Sequence, residues 1–262
     1  MQPTSHASNS AGANEALYGP HMNHTELAAV ATTIADIGST FYFRPDTLAV
    51  GKEHGLDGYR FYFVGRGGVL GDVEADVALS AFGYFEPGLF ASMWNSAKAI
   101  VPPREAARLY HGCNHDLGRA TLVDVPGLEA FCEAAAAVNA AIDPAGLALY
   151  AGIAAEPVPD DVPARAVHLA MCLREARGSI HLLALIASGV PTRMAHQIRR
   201  PDDVTLFGWT EPVVASDDDI ARWDAAEALT NALLAPSFGV LDDKGERALV
   251  EGADAIHAAL IP

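Results

Sequence analysis

An internal repeat is the feature that most constrains how this chain can fold. The segment 58–87 reads GYRFYFVGRGGVLGDVEADVALSAFGYFEP, and a weaker copy at 177–212 reads RGSIHLLALIASGVPTRMAHQIRRPDDVTLFGWTEP. Both copies begin beside Arg and Gly, pass through an apolar stretch and a break rich in small residues, and end on FGYFEP or FGWTEP. Self-similarity at a long period indicates that one structural unit is used twice. We therefore expect two similar halves in a pseudo-twofold arrangement.

The apolar run Tyr59–Val64 is compatible with either a buried strand or a buried helix. A strand before GRGGVLG would suggest dinucleotide binding, but Leu70 replaces the last glycine of that motif and Gly71 comes one residue late. The Ala-rich second copy favours a helix in both places. Helical spacing elsewhere predicts a mostly α protein of about a dozen helices. Among these are helices at 160–176 and 178–188, with a hairpin or wing at 238–245.

The loop EPVPDD at 156–161 is the best boundary between the two halves. It divides the chain into 25–155 and 156–262, each expected to be a winged-helix-like helical half. Residues 1–24 are rich in Ser, Asn and Gly and lack the basic and apolar regions of a signal peptide, so we expect them to be disordered. The sequence leaves open whether Met1 or Met22 is the true start.

Charge and cysteine usage narrow the class of function. The chain has 33 acidic and 17 basic residues, a formal net charge of −16. Such a surface repels phosphate backbones, which disfavours nucleic acid as a partner. The three cysteines, Cys113, Cys132 and Cys172, form no C-x-x-C pair, as is typical of reduced thiols in a cytoplasmic protein. No apolar run approaches the roughly 18 residues of a membrane span. The sequence does not decide whether the protein forms a homodimer.

Several moderate motifs occur in a characteristic order. They are FYFRPD (41–46), GYRFYFVGRGGVLG (58–71), FGYFEPGLF (82–90), PDDVPARAVHLAMCLREARGSIHLLALIASGV (159–190) and FGWTEP (207–212). In this order the chain resembles a family of largely uncharacterised actinobacterial proteins with tandem degenerate winged helix-turn-helix units. The resemblance covers most of Thr25–Leu260. It implies a helical core with short wing hairpins, and it implies no settled activity.

Two helical faces carry the candidate catalytic residues. Tyr62 and Arg66 are four residues apart in the first copy, and Arg177 and His181 are four apart in the second, so each pair shares a helix face. If the halves pair about a twofold axis, both faces line one cavity. His181 would then be the general acid or base, with Tyr62 as proton partner and Arg66 or Arg177 as anion stabiliser. The structural alternative is a core histidine that is hydrogen-bonded across the repeat interface.

Aromatic and histidine side chains are the candidate substrate-binding groups. The expected apolar walls are Phe41, Tyr42, Phe43, Phe85 and Trp94, although an aromatic cluster is usually core. Tyr59 is a further candidate, because it shares the helix face of Tyr62 and Arg66. His111 and His115 share a helix face at the spacing of a zinc pair, but the Gly-Cys-Asn between them supplies neither a third ligand nor a general base. They stay open as ligand-binding, metal- or haem-binding, or plain helix-surface residues. We assign no metal ligand and no cofactor.

The hypothesis is a cytoplasmic small-molecule-binding protein with a pocket between the repeats. If it is an enzyme, we expect acid/base chemistry (cyclisation, isomerisation or elimination) on an apolar substrate of specialised metabolism. The first alternative is a transcriptional regulator with a degenerate helix-turn-helix, for which only 192–200 has the basic character of a recognition helix. The second is a metal- or haem-binding protein that uses His111 and His115.

Overall fold

The computed structural model describes residues 22–261, which form twelve α-helices and no β-strand. The mostly α class is therefore confirmed. The helices are α1 (His24–Ser39), α2 (Pro45–Glu53), α3 (Gly58–Gly67), α4 (Ala75–Phe82), α5 (Pro87–Lys98), α6 (Pro103–Thr121), α7 (Leu128–Ala141), α8 (Ala148–Ala154), α9 (Val162–Ala187), α10 (Thr192–Arg199), α11 (Asp217–Phe238) and α12 (Asp243–Leu260). The disorder expected for 1–24 falls almost entirely outside the described residues, as does Met1.

The central element is α9, which runs for 26 residues without interruption. The two helices expected at 160–176 and 178–188 are therefore one helix. Gly178 lies inside it, and a helix-interior glycine costs only about 1 kcal/mol relative to alanine, which packing can offset. Side chains of α9 are buried on most sides because α1, α6, α7, α8 and α11 all pack against it.

One large apolar core extends across both predicted halves. Its members come from nearly every helix and include Leu27, Phe63, Phe131, Met171 and Ile256. A second, much smaller cluster lies under α10 and α11 and comprises Ala184, Leu185, Val190, Ala195 and Ala226. Because three of these five residues are alanines, α10 is held by less apolar burial than the helices around the large core. The division at 156–161 stays a prediction.

The two closing motifs of the repeat contact each other. Phe85 stacks on Phe207 with ring centroids 4.3 Å apart. The backbone N–H of Glu86 donates to the carbonyl of Phe207 at 2.8 Å, and the indole N–H of Trp209 donates to the carbonyl of Tyr84 at 2.8 Å. These contacts hold the segment 204–212 against the start of α5, where it borders a cleft.

The prediction of a wing hairpin at 238–245 is wrong. This segment is the turn between α11 and α12, because the side chain of Asp242 accepts from the backbone N–H of Gly245 at 2.8 Å and so caps α12. The other expected wing hairpins are likewise absent from residues 22–261. None of the helices within the described part of the chain combines the length and the apolar character of a membrane span.

Candidate ligand-binding cleft

A cleft of about 910 Å³ opens beside the central helix. One side consists of α1, the turn that follows it, and α3. The other side consists of the C-terminal half of α9 with α10, the segment after α10, and α11. The volume lies in the range of roughly 300–1,000 Å³ that is usual for small-molecule sites.

The cleft collects most of the residues that the sequence singled out. All four candidate catalytic residues and four candidate substrate-binding residues line it: Tyr62, Arg66, Arg177, His181, Tyr42, Phe43, Tyr59 and Phe85. The two helical faces therefore border one cavity, although they belong to segments more than 100 residues apart. The roles assigned to these residues stay predictions.

Trp94 does not reach the cleft, and the expectation that it forms a wall is wrong. Its side chain is fully buried, and its indole N–H donates to the carbonyl of Val73 at 3.0 Å. The reason is that α5 packs against both α3 and α4, so its inner face is core.

His111 and His115 also lie away from the cleft, at the contact between α6 and α9. His115 Nε2 is 3.2 Å from Nδ1 of His168, and His111 is only 4 % exposed. Burial, reinforced by the neighbouring histidines, lowers the pKa of His111 to about 3, so its imidazole is neutral at pH 7. No group of three or more potential ligands within residues 22–261 could hold a metal ion. The pair is part of a packed contact between α6 and α9, because α9 covers the helix face that His111 and His115 share.

Five residues form a buried ion network at one end of the cleft, which we call the inner network: Tyr42, Tyr62, Arg66, Arg174 and Glu175. Arg66 donates to both carboxylate oxygens of Glu175, from Nε and from one Nη, at 2.8 Å each. The hydroxyl of Tyr42 donates to Glu175 at 2.9 Å, and Arg66 donates to the hydroxyl of Tyr62 at 2.9 Å. Arg174 forms a further ion pair with Glu175. Bidentate arginine–carboxylate pairs are among the strongest hydrogen-bonded contacts in proteins.

The inner network carries a net positive charge. Burial by itself would raise the pKa of Glu175, but Arg174 and Arg66 lower it to about 2, so the carboxylate is ionised at neutral pH. Two guanidinium groups that stay protonated face this one carboxylate. One positive charge is therefore left over, in surroundings that water screens poorly because Glu175 is 1 % exposed.

A second group, the outer network, joins α9 to α11 and comprises Arg177, His181, Glu227 and Thr230. Arg177 donates to Glu227 at 2.8 Å, while its Nε has no hydrogen-bond partner among residues 22–261. Nδ1 of His181 lies 2.9 Å from the hydroxyl of Thr230, which itself donates to the carbonyl of Ala226 at 2.7 Å. This pattern assigns the proton to Nδ1, because the Thr230 hydrogen is already used.

The outer network leaves a lone pair on Nε2 of His181. That atom lies 3.6 Å from the carboxylate of Glu227. Burial lowers the pKa of His181, and Glu227 opposes the shift without cancelling it, so the imidazole is neutral at pH 7. A neutral imidazole that is fixed through Nδ1 can accept a proton at Nε2.

Within residues 22–261, two further features border the cleft: a histidine nitrogen without a hydrogen-bond partner, and open space in front of a helix glycine. His196 is 5 % exposed, its ring lies 3.8 Å from that of Phe207, and its Nε2 has no hydrogen-bond partner in the described part of the chain. Gly178 of α9 faces the cleft, and a Cβ added there would meet no atom of residues 22–261 within 4 Å. Among the described residues, His196 and Gly178 thus border the cleft with a partnerless buried nitrogen and with open space.

Sequence reasoning missed the acidic partners of the arginines. Glu175 carried a signal, because Arg174-Glu175-Ala176-Arg177 is a charged run inside an otherwise apolar helix, and buried charges are normally paired. Glu227 and Thr230 carried none, since they are 50 and 49 residues away from the groups they bind, on a helix with an ordinary polar pattern.

A helix-turn-helix family matches residues 27–212, the span that holds α1 to α10 and the whole inner network. The match ends before α11, so Glu227 and Thr230 lie outside it. Within the match, α9 and α10 are joined by a short turn in which Gly189 has a φ of 68°, a conformation that favours glycine. No curated protein and no solved structure matches the chain.

Proposed function

The chain belongs to this helix-turn-helix family, and we propose that it is a small-molecule-binding protein whose site is the cleft between α3, α9 and α10. The observation that carries the proposal is the open volume of about 910 Å³ beside the central helix. A cleft of this size, with aromatic walls and a few fixed polar groups, is typical of a small-molecule site.

Gly178 supports this proposal. A glycine inside a helix is usually explained by a neighbouring element that leaves no room for a Cβ, as at Gly65 and Gly118 of this chain. At Gly178 no such neighbour exists within the described residues, and the space in front of the backbone belongs to the cleft. Gly112 on α6 has the same open space away from the cleft, so what Gly178 adds to the proposal is its position: it leaves the α9 backbone open to a bound molecule at the cleft.

For an enzyme, we propose acid/base chemistry of the kind used in cyclisation, isomerisation or elimination, on an apolar substrate of specialised metabolism. Nε2 of His181 would accept the proton, since its lone pair is free and Thr230 fixes the ring. Tyr62 accepts its hydrogen bond from Arg66, so its own hydroxyl hydrogen is available to a bound molecule. Arg66 or Arg177 would stabilise negative charge that develops on the substrate.

The test of the binding site uses 8-anilinonaphthalene-1-sulfonate, a dye whose fluorescence rises in apolar surroundings. We expect saturable binding at one site to the native protein and markedly weaker binding in Gly178→Leu, because the leucine side chain would project into the cleft beside the α9 backbone. Gly112→Leu is the matched control, since Gly112 is also inside a helix and a Cβ added there would also meet no atom of residues 22–261 within 4 Å. It lies on α6, away from the cleft.

Near-ultraviolet circular dichroism of both variants must match the native protein, so that dye binding to a loosened fold is recognised. Dye binding that is equally strong in Gly178→Leu and Gly112→Leu would contradict the proposal.

A second candidate function, nucleic-acid-binding regulator, is favoured by the family match. In this chain, however, α3 and α10 pack against other parts of the protein, which limits the surface that they could present to DNA. Residues 61–67 of α3 are buried, and α10 turns Ala195 and His196 inward. Arg193 of α10 donates to the carbonyl of Glu211 at 2.7 Å and stacks over Trp209. Fluorescence anisotropy of a labelled 30-base-pair duplex at low salt tests this candidate, and salt-sensitive binding that Arg199→Gln weakens would favour it over the cleft.

We also propose that the fold arose by tandem duplication of a degenerate winged helix-turn-helix unit, as in the actinobacterial family that the sequence resembles. The halves would be 25–155 and 156–262. Support comes from the mutual contacts of the two closing motifs at Phe85 and Phe207. A cytoplasmic location is proposed as well, because all three cysteines are free thiols.

A further inference from the structure

We infer that the cleft takes an aromatic small molecule that carries an anionic group, a carboxylate or a phosphate. This inference rests on the proposed function, because it names the chemistry of the ligand for the same site. Three observations carry it: the charge of the lining, the aromatic walls, and the polar atoms that have no partner.

The charge of the lining differs in sign from that of the chain. The protein has 33 acidic and 17 basic residues, yet its cleft is lined by six of the basic residues and only four of the acidic ones. The six are all arginines: Arg44, Arg66, Arg174, Arg177, Arg199 and Arg200. A cleft of one sign with low-dielectric walls concentrates the field and attracts ligands of the opposite sign. An acidic protein that gathers arginines at one cleft is therefore suited to an anion.

The surplus positive charge is also fixed in place. In the inner network, Arg66 and Arg174 share the single carboxylate of Glu175, and packing holds all three side chains. An anion would balance the charge that Glu175 leaves over. A cationic ligand close to this network would add to the surplus positive charge, and a neutral ligand would leave that charge without a partner.

Nine aromatic residues line the same cleft: Tyr42, Phe43, Tyr59, Tyr62, Phe82, Tyr84, Phe85, Phe207 and Trp223. Phe43 stacks on Tyr62 with ring centroids 5.2 Å apart and is still 49 % exposed, so part of its ring surface is open to a ligand. Aromatic walls of this extent favour a flat ring system through stacking. Arginine is also the cation that stacks best on aromatic rings, which suits a ligand with a ring and an anionic group together.

Two buried nitrogens supply the hydrogen-bonding part of the site. Nε of Arg177 and Nε2 of His196 belong to residues that line the cleft, and both atoms are buried without a partner among residues 22–261. They are two of ten such atoms in this part of the chain, and Nε of Arg44 is a third that belongs to a lining residue. Buried polar atoms are normally hydrogen-bonded to protein or to ordered water, so each of these nitrogens has an unused hydrogen-bonding capacity beside the cleft. The Nε–H of Arg177 can donate only, so it requires an acceptor oxygen.

The test uses three ligands with the same naphthalene body: 2-naphthoate, 2-naphthyl phosphate and the neutral 2-naphthamide. Each is titrated against the bound 8-anilinonaphthalene-1-sulfonate, and displacement is followed by fluorescence. We expect at least one of the two anions to bind about tenfold or more tightly than the amide, because a hydrogen bond to a charged group outweighs a neutral one. Which anion binds better distinguishes a carboxylate from a phosphate ligand.

Arg177→Gln should reduce this anion preference by about tenfold, and Arg199→Gln should reduce it as well. Arg247→Gln, which removes the same charge from the exposed surface of α12, should leave it unchanged. Circular dichroism of the variants checks that Arg177→Gln keeps its fold. If Arg177→Gln does not fold, Arg199→Gln tests the inference, because Arg199 lies at the exposed end of α10.

Equal displacement by the amide and the anions would overturn the inference, and so would no displacement by any of them while the dye stays bound in the cleft. In both cases the proposed binding site stands. Dye binding that is indifferent to Gly178→Leu is the separate result that would remove the site itself.

Discussion

The inner and outer networks border one cleft and use the same pair of residue types, but they differ in how firmly they are held. Arg66 and Glu175 of the inner network have side-chain exposures of 10 % and 1 %, whereas Arg177 and Glu227 of the outer network have 22 % and 27 %. The inner pair is bidentate and is joined by Arg174 and Tyr42, while the outer pair is linked by one hydrogen bond. The inner network is thus joined to the core by more hydrogen bonds and is less exposed to solvent than the outer one.

The difference follows from what lies behind each network. The inner network is backed by α1, α3 and α9, which share the large apolar core. The outer network depends on α11 and lies beside the small alanine-rich cluster under α10. A site that binds a ligand needs fixed groups to set its charge and adjustable groups to admit the molecule. If the cleft binds a ligand as proposed, the inner network would supply the fixed groups and the outer network the adjustable ones.

The largest expected effect is on folding stability when Glu175 loses its charge. Glu175→Gln leaves the buried Arg66 and the partly exposed Arg174 without a counter-ion, and we expect a loss of about 3 kcal/mol in the free energy of unfolding. Glu227→Gln should cost less than about 1 kcal/mol, because a half-exposed ion pair contributes little. Urea denaturation of both variants measures the difference. Similar losses in the two would show that the networks are equivalent.

The pH dependence of stability should carry the signature of the inner network. The pKa of Glu175 falls from its ordinary value of 4.5 to about 2 in the folded protein. Folding is therefore favoured by the ionised form, and this contribution is complete above pH 4.5 and is lost as the pH falls towards 2. It amounts to ~3 kcal/mol at neutral pH. Urea denaturation between pH 5 and pH 3 should show a decline that is smaller in Glu175→Gln, and parallel declines would contradict the assignment.

A smaller effect is expected from removing single hydroxyl groups. Tyr42→Phe removes the hydrogen bond to the charged Glu175 and should cost about 2 kcal/mol of stability. Tyr59→Phe removes a hydrogen bond to the carbonyl of Leu206 at the partly exposed rim and should cost less than about 1 kcal/mol. Thermal unfolding of the two variants gives the comparison. If Tyr59→Phe lost more stability than Tyr42→Phe, the more firmly held part of the cleft would be its rim and not the inner network.

The smallest effect concerns Gly178, between the two networks. Gly178→Ala should raise stability by about 0.5–1 kcal/mol, because alanine suits a helix better and the new methyl group meets open space. Gly112→Ala should do the same on α6. If the alanine destabilises the protein at position 178 alone, the cleft is narrower in solution than its 910 Å³.

Much of the site followed from local spacing. Tyr62 and Arg66 were expected on one helix face, and Arg66 does donate to Tyr62 at 2.9 Å. Arg177 and His181 were expected to share a face, and both line the cleft. Residues four apart in a helix meet whatever the rest of the fold does, so the sequence is sufficient for these pairs.

The same rule was not sufficient for His111, His115 and Trp94. The two histidines do share a face, but α9 covers that face with His168, and α5 buries Trp94. Whether a polar or aromatic face is open to a ligand depends on the element packed against it. Spacing along one helix does not contain that information.

The sequence by itself determined the mostly α class and the residues that share each helix face, because both depend on periodicity within a few turns of helix. Only the tertiary structure decided which faces meet. Glu175 reaches Arg66 across 109 residues and Glu227 reaches Arg177 across 50. It is these long-range pairings that separate a buried inner network from a more exposed outer one, since burial and charge compensation are properties of the packed chain and not of any segment.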